Sequence, residues 1–214
     1  MKRSALVIGG TGPTGPSLVN GLLAQGFKTA ILHTGRHEVD TIPPQVEHIH
    51  TNPFKIDELA GALGDRTFDV VYAMYGRLRD IAPWFVGRTG KFIAVGGLPS
   101  YLGYAVPGLL WPPGLLVPTR EDAPRSSVQE NEKTAKMVAS EDLVFEHHPT
   151  ATLFRYPLIY GPTTSRSRQA KPTTSQTSIA SPQHRPSRFW LRHSMSRSNL
   201  SVCQRTSRHR LVHS

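Results

Sequence analysis

The chain predicts an α/β protein built on a doubly wound parallel sheet, a Rossmann fold in three layers, α/β/α. Three observations predict it. A short apolar run, Ala5-Leu6-Val7-Ile8, breaks into glycines and then into a helical apolar pattern at Leu18, Val19, Leu22 and Leu23. Strand-like runs then alternate with helical stretches as far as Tyr156. With 214 residues the chain can bury one sizeable core.

The first run suits a buried parallel strand, because it is apolar on both faces. Phe27–Leu32 reads as the second strand and Val46–His50 as the third, followed by a short amphipathic helix over Ile56–Leu63. FDVVYAM, Phe68–Met74, is a buried fourth strand, and GKFIAV, Gly90–Val95, a fifth. Ser127–His147 is the longest helical stretch, and Thr150–Tyr156 is the sixth strand. The expected strand order is 3-2-1-4-5-6, with ligands gathering at the carboxyl ends near the crossover between strands one and four.

The glycine loop predicts a phosphate site. Gly9 lets the chain turn sharply out of the strand. Gly12 has no Cβ, so a pyrophosphate can approach the backbone, and Gly15 lets the helix pack closely on the strand. Thr11, Pro13 and Thr14 complete the loop, and the helix N-terminus offers N–H groups and a positive dipole end to an anion. The spacing is Gly9-x-x-Gly12-x-x-Gly15, not the G-x-G-x-x-G of longer dehydrogenases.

Gly9-Gly10-Thr11-Gly12-Pro13-Thr14-Gly15 after Val7-Ile8 resembles the short-chain dehydrogenase/reductase superfamily, above all its NAD-dependent epimerase/dehydratase branch. A second segment, Arg155-Tyr156-Pro157-Leu158-Ile159-Tyr160-Gly161-Pro162, is similar to the R-x-P-x-x-Y-G-P segment that closes strand six in that branch. The resemblance runs from Met1 to about Pro162. It implies a nicotinamide cofactor and hydride transfer on a sugar-nucleotide or other small hydroxy/carbonyl substrate.

The end of strand two bears on the cofactor. An acid there would accept from the ribose 2′-OH and favour NAD. The chain instead reads His33-Thr34-Gly35-Arg36-His37, with no acid before Glu38. Arg36 suits a 2′-phosphate through its planar, charged fork, so NADP is expected over NAD, with His33 beside it. An exposed loop arginine is the alternative.

The resemblance also implies a Tyr-x-x-x-Lys pair on the helix after strand five, the tyrosine acting as general acid/base and the lysine lowering its pKa. No such pair is present. Lys136 has Glu132 four residues earlier and Lys133 has Gln129. Lys136 and Glu132 can equally form an exposed ion pair on one helix face. The serine expected at the end of strand five is missing too, leaving Ser100 and Tyr101 slightly downstream as substitutes. Lys136 and Tyr101 are the candidate catalytic residues. Tyr75, beside Gly76 at the end of strand four, is either a second phenol at the site or a packed core residue. Activity is in doubt, and a non-catalytic cofactor-binding or regulatory protein is the alternative.

The formal charge is +10, from 25 basic and 15 acidic residues. Residues 163–214 hold nine Arg, one Lys and no acid, so residues 1–162 are balanced at 15 of each. The expected organisation is a dinucleotide-binding domain over 1–162 and a low-complexity basic tail over 163–214. That composition cannot support a packed core, and disorder is expected. Three readings of the tail stay open: a disordered extension, an arm for RNA or acidic partners, and an aberrant end from a reading-frame change. The last fits the abrupt stop of family-like sequence after Gly161-Pro162.

The lone Cys203 excludes an internal disulfide and a cysteine metal site, and a cytoplasmic setting follows. Leu102–Pro118 carries no charge, but Pro107, Pro112, Pro113 and Pro118 exclude a spanning helix, so a loop beside the cleft is expected. His147 and His148 close a helix, where a cation suits the dipole; no metal is expected. The expected partner is a small-molecule substrate, without nucleic acid or membrane and with a homodimer left open.

Overall fold

A computed structural model describes residues 2–74, 78–159 and 204–206. Six strands run parallel: β1 (Ser4–Ile8), β2 (Lys28–His33), β3 (Glu47–His50), β4 (Phe68–Met74), β5 (Thr89–Gly97) and β6 (Thr152–Tyr156). A short β7 (Gln204–Thr206) pairs antiparallel with β6, giving the order β3-β2-β1-β4-β5-β6-β7. The expected order of the six parallel strands is therefore the observed one. Apart from β7, the expected tail lies outside the described residues, as do Tyr75 and Gly76.

Four helices flank the sheet: α1 (Gly15–Ala24), α2 (Ile56–Leu63), α3 (Leu78–Trp84) and α4 (Glu132–His147). Strand alternation sorts the core into two clusters. Leu6, Ile8, Leu32 and Phe92 face α2, α3 and α4, where Leu59, Ile81 and Val144 are buried against them. Ala5, Val7, Ile31 and Val95 face the other way and pack with Val19 and Leu22 of α1. The layers are α/β/α.

Among the described residues no helix joins β2 to β3. The loop between them buries Ile42 and Val46 in the α1-side cluster instead. Asn20 Nδ2 of α1 donates to Thr41 O at 3.2 Å and ties the loop to the helix.

Helix α4 begins later than its apolar pattern suggests. Asn131 caps it, its side chain accepting from Lys133 N and Thr134 N, so residues 127–131 form the approach to the helix. Helix α3 has no counterpart in the sequence reading. It is only seven residues long and contains Pro83, which has no N–H to continue the ladder.

Candidate functional site

The glycine loop joins β1 to α1 at the carboxyl edge of the sheet, and its glycines are constrained very differently. Gly9 sits at φ +85°, and a Cβ there would lie 2.9 Å from Met74 O. A Cβ on Gly15 would lie 1.9 Å from Gly10 O, an impossible approach. Gly12 is different, since a Cβ there would meet only Gly9 O, at 3.5 Å. Gly9 and Gly15 are demanded by the protein's own backbone, whereas Gly12 is not. Two hydrogen bonds shape the turn, Gly12 N to Gly9 O at 3.2 Å and Gly15 N to Gly12 O at 3.0 Å. Thr11 is buried in the loop and Thr14 is the residue before the first turn of α1.

Two clefts open at the carboxyl ends of the strands, the first of them against this loop. The first, about 400 Å³, lies between Pro13 and Thr14 on one side and the ends of β5 and β6 on the other. Gly96, Gly97 and residues 156–159 form its strand side, and Tyr104 reaches it from the charge-free loop after β5. The second, about 440 Å³, lies beyond the ends of β2 and β3 and is lined by Thr34, Arg36, His50, Asn52 and Lys55 among others. Volumes of this size suit small ligands.

The structure brings the loop residues Gly9, Thr11, Gly12, Pro13, Thr14 and Gly15 together, with Arg36 at the second cleft. It does not bring Lys136 or Tyr101 to the first. Lys136 Nζ is paired with Glu132 Oε1 at 2.6 Å on an exposed face of α4. Tyr101 is fully buried, and its hydroxyl accepts from Arg155 Nη1 at 3.0 Å. The face of α4 on the cleft carries Met137, Ser140 and Glu141. The cleft-facing pair at i,i+4 is therefore Met137 and Glu141, neither a tyrosine nor a lysine.

Glu141 is committed to a buried network. Its Oε2 accepts from Arg155 Nε at 3.0 Å and Nη2 at 2.7 Å, and its Oε1 accepts from Ser100 Oγ at 2.6 Å. Ser100, the downstream serine, is thus a structural donor. Burial alone would lower the pKa of the Arg155 guanidinium, but Glu141 and Tyr101 more than offset that and hold it above its usual value. Glu130 anchors the loop after β5: its Oε1 accepts from the backbone N–H of Gly103 at 2.8 Å and of Ala105 and Val106 at 3.2 Å.

His33 ends β2 and stands opposite His50 in the parallel register, with His48 two residues earlier on the same face of β3. Glu38 closes the group. His33 Nε2 is 3.3 Å from His48 Nδ1, and Glu38 is 3.0 Å from His50 Nε2 and 3.3 Å from His48 Nδ1. Burial lowers the pKa of His33, and the neighbouring histidines lower it further against the opposing pull of Glu38. The sequence reading took His33 alone; the alternation His48-Ile49-His50 on a strand beside it was the available signal. His148 differs from its expected role as a cation at the end of α4. Burial, which includes stacking on Phe92, lowers its pKa and His147 lowers it further, against the opposing pull of Ala82 O 2.8 Å from its ring.

No family model and no curated protein matches the sequence. Solved structures do match. WbmH from Bordetella bronchiseptica in complex with NAD+ aligns with a TM-score of 0.56 at 16% identity, over 72% of this chain and 56% of that one. A UDP-galactose 4-epimerase aligns at 0.53 and 16% identity, covering 72% and 55%. Vestitone reductase from alfalfa (Medicago sativa L.) aligns at 0.51 and 13% identity, covering 71% and 56%. The chain spans about half the length of these proteins. Among the described residues no helix is long and apolar enough to cross a membrane. The chain shares the Rossmann-like fold of these proteins.

Proposed function

We propose that this chain binds a nicotinamide dinucleotide across its glycine loop, NADP in preference to NAD, and that it turns over substrate poorly or not at all. The observation that carries this reading is the contrast between Gly12 and Gly15. Gly15 is required by a backbone contact inside the protein, while Gly12 faces space that a side chain could fill without a clash. A glycine there is explained by a group that must come close to the backbone from outside, as a pyrophosphate does. The cleft against the loop and the one beyond the ends of β2 and β3 offer room for the two halves of such a molecule. WbmG and MoeE5, which share the fold, were solved with NAD, and MoeE5 also with UDP-glucose.

Arg36 supports the 2′-phosphate. Glu38, the first acid after β2, is engaged with His50 and His48. Arg36 lines the cleft instead, together with Lys55. A planar guanidinium binds a phosphate at two oxygens, while it gains little from a free 2′-OH.

The cofactor would supply a hydride to or from a small hydroxy/carbonyl compound, a nucleotide sugar being the class suggested by the fold. The chain's own part is to seat it: Pro13 and Thr14 set one wall, and Gly96 and Gly97 leave the other open to it. Proton transfer needs a group with a suitable pKa within hydrogen-bond reach of the reacting oxygen, and such help contributes about 10²–10⁴-fold. At this cleft Met137 has no proton to give, and Glu141 is held by Arg155 and Ser100. That arrangement favours cofactor binding without turnover.

Calorimetry of the full chain with NADPH, NADH and the oxidised forms tests the reading. Arg36→Ala should weaken the NADP forms by about tenfold or more and leave the NAD forms nearly unchanged. Cofactor oxidation with a panel of nucleotide sugars and simple carbonyls should stay near background. Equal loss for both cofactors would overturn the 2′-phosphate assignment. Robust turnover abolished by Lys136→Ala or Tyr101→Phe would overturn the reading of a weak enzyme.

A further inference from the structure

The ends of β2 and β3 carry a group of side chains that cofactor binding does not use fully. We propose that His33, His48, His50 and Glu38 form a binding site for a divalent transition-metal ion of the zinc type. The site stands on geometry. One ligand atom from each of the four residues lies within 4.8 Å of all the others. An ion with bonds of about 2.0–2.1 Å in a tetrahedron holds its ligand atoms about 3.3 Å apart. The separations here are 3.3 Å for His33–His48, 3.0 Å for His50–Glu38, 3.3 Å for His48–Glu38 and 3.7 Å for His33–Glu38. These four separations, the one to His48 taken from Glu38 Oε2 and the other two glutamate distances from Oε1, lie near that spacing, so four donors from two strands and a loop are within reach of one ion.

The rings are arranged accordingly. His33 meets His48 at 76° and His50 at 83°, and His48 meets His50 at 87°, so the three imidazoles present edges rather than stacked faces. Three imidazoles and one carboxylate favour zinc, nickel or copper over magnesium or calcium, which take oxygen ligands. The strand register makes the site rigid, because His33 and His50 are paired residues of adjacent strands.

Gly35 N–H donates to His33 Nδ1 at 3.2 Å, which places that ring's proton on Nε2, toward His48 Nδ1. His50 Nε2 likewise directs a proton at Glu38. Two protons thus occupy the ground a cation would take. Metal binding requires each of these rings to move its proton to the other nitrogen, and at His33 that gives up the hydrogen bond from Gly35 N–H. His48 Nδ1 already offers a lone pair. The site does not depend on a nicotinamide cofactor being bound.

The test uses the full chain without an affinity tag, stripped with a chelator and titrated with Zn2+ by calorimetry, beside Glu38→Gln and His50→Ala. Both side chains are about half exposed, at 48% and 55%, so neither substitution should disturb the fold. The chain has 10 histidines in all, so the readout is the difference from wild type rather than total zinc. One tight equivalent should be lost, its affinity falling by more than about 10–100-fold in each variant. Should a variant unfold, ring NMR of the wild type decides. Zn2+ should shift His33, His48 and His50 and leave His148 in place. Equal zinc binding by wild type and variants, or shifts confined to other histidines, would overturn the site.

Discussion

The Glu141 carboxylate and the Arg155 guanidinium meet at 2.7 Å with each side chain only 2–3% exposed, joining α4 to β6 beneath the first cleft. A carboxylate and a guanidinium are stable there because each has the other and further hydrogen bonds, to Ser100 and Tyr101. Removing Glu141 leaves the Arg155 guanidinium buried without its carboxylate, and also takes from Arg125 Nη2 a carboxylate oxygen at 3.5 Å. Glu141→Leu should lower unfolding stability by about 3–5 kcal/mol in urea titrations. The double variant Glu141→Leu/Arg155→Met should recover much of that loss. A double variant as unstable as the two single losses summed would show that the two side chains contribute independently and contradict the pairing argument.

Gly15→Ala should displace the start of α1. Its Cβ would fall 1.9 Å from Gly10 O, a backbone atom that cannot swing aside. Overpacking of this kind costs about 1–3 kcal/mol, and dinucleotide binding should fall with it. Gly12→Ala is the informative partner, since the protein has room for that methyl. It should melt near the wild-type temperature while binding cofactor weakly. Thermal melts paired with calorimetry separate the two, and a Gly12→Ala chain with intact affinity would contradict the role given to Gly12.

His148 should make the fold acid-sensitive. Its folded pKa lies below the ordinary value of about 6.5 because burial disfavours the imidazolium. Above that value the ring is neutral in both states and its contribution is complete. As pH falls below it, the unfolded chain takes up a proton that the folded ring resists, so stability declines down to the folded pKa. His33 acts in the same direction. His148→Gln should reduce the slope of unfolding free energy against pH by up to about one proton in this window. An unchanged slope would mean the ring charges freely in the folded state.

Glu130 should hold the loop after β5 only while ionised. Burial alone would raise its pKa, but the neighbouring Ser126 hydroxyl and the hydrogen bonds from the amides of Val106, Gly103 and Ala105 outweigh it and leave the pKa below the usual carboxylate value. The contribution is therefore present above the unfolded carboxylate pKa and is lost as pH falls through the folded one. Glu130→Gln should speed hydrogen exchange at Gly103, Ala105 and Val106 while leaving β4 amides protected. Exchange that is unchanged at those three amides would show that the loop is held by something else.

The fold was legible where the cause is local. The glycine loop, β4 and α2 each follow from a run of neighbouring residues, and α2 and β4 fall where the pattern puts them. Helix α3 was hidden by its length and by Pro83, which signals a break in sequence but is tolerated in a short helix packed on α4. The candidate site was legible only in part. Arg155 was visible as part of a motif, but its partner Glu141 lies on α4 and meets it only through the tertiary fold. The histidine group depends on which strand lies beside β2 and in what register, and no local pattern carries that. Lys136 shares a helix with Met137, yet one turns to solvent and the other to the cleft.

The loop that carries Arg36 and Glu38 also supplies Ile42 and Val46 to the core on the α1 side of the sheet. Redesigning cofactor preference in this protein is therefore not a surface exercise. Lengthening or exchanging residues 34–46 as a block would alter recognition and core packing together, and the resulting loss of affinity could be mistaken for a lost contact. Point changes at Arg36 keep the two apart. Among natural variants, drift at Ile42 and Val46 would be expected to change cofactor affinity without altering any side chain that faces the ligand.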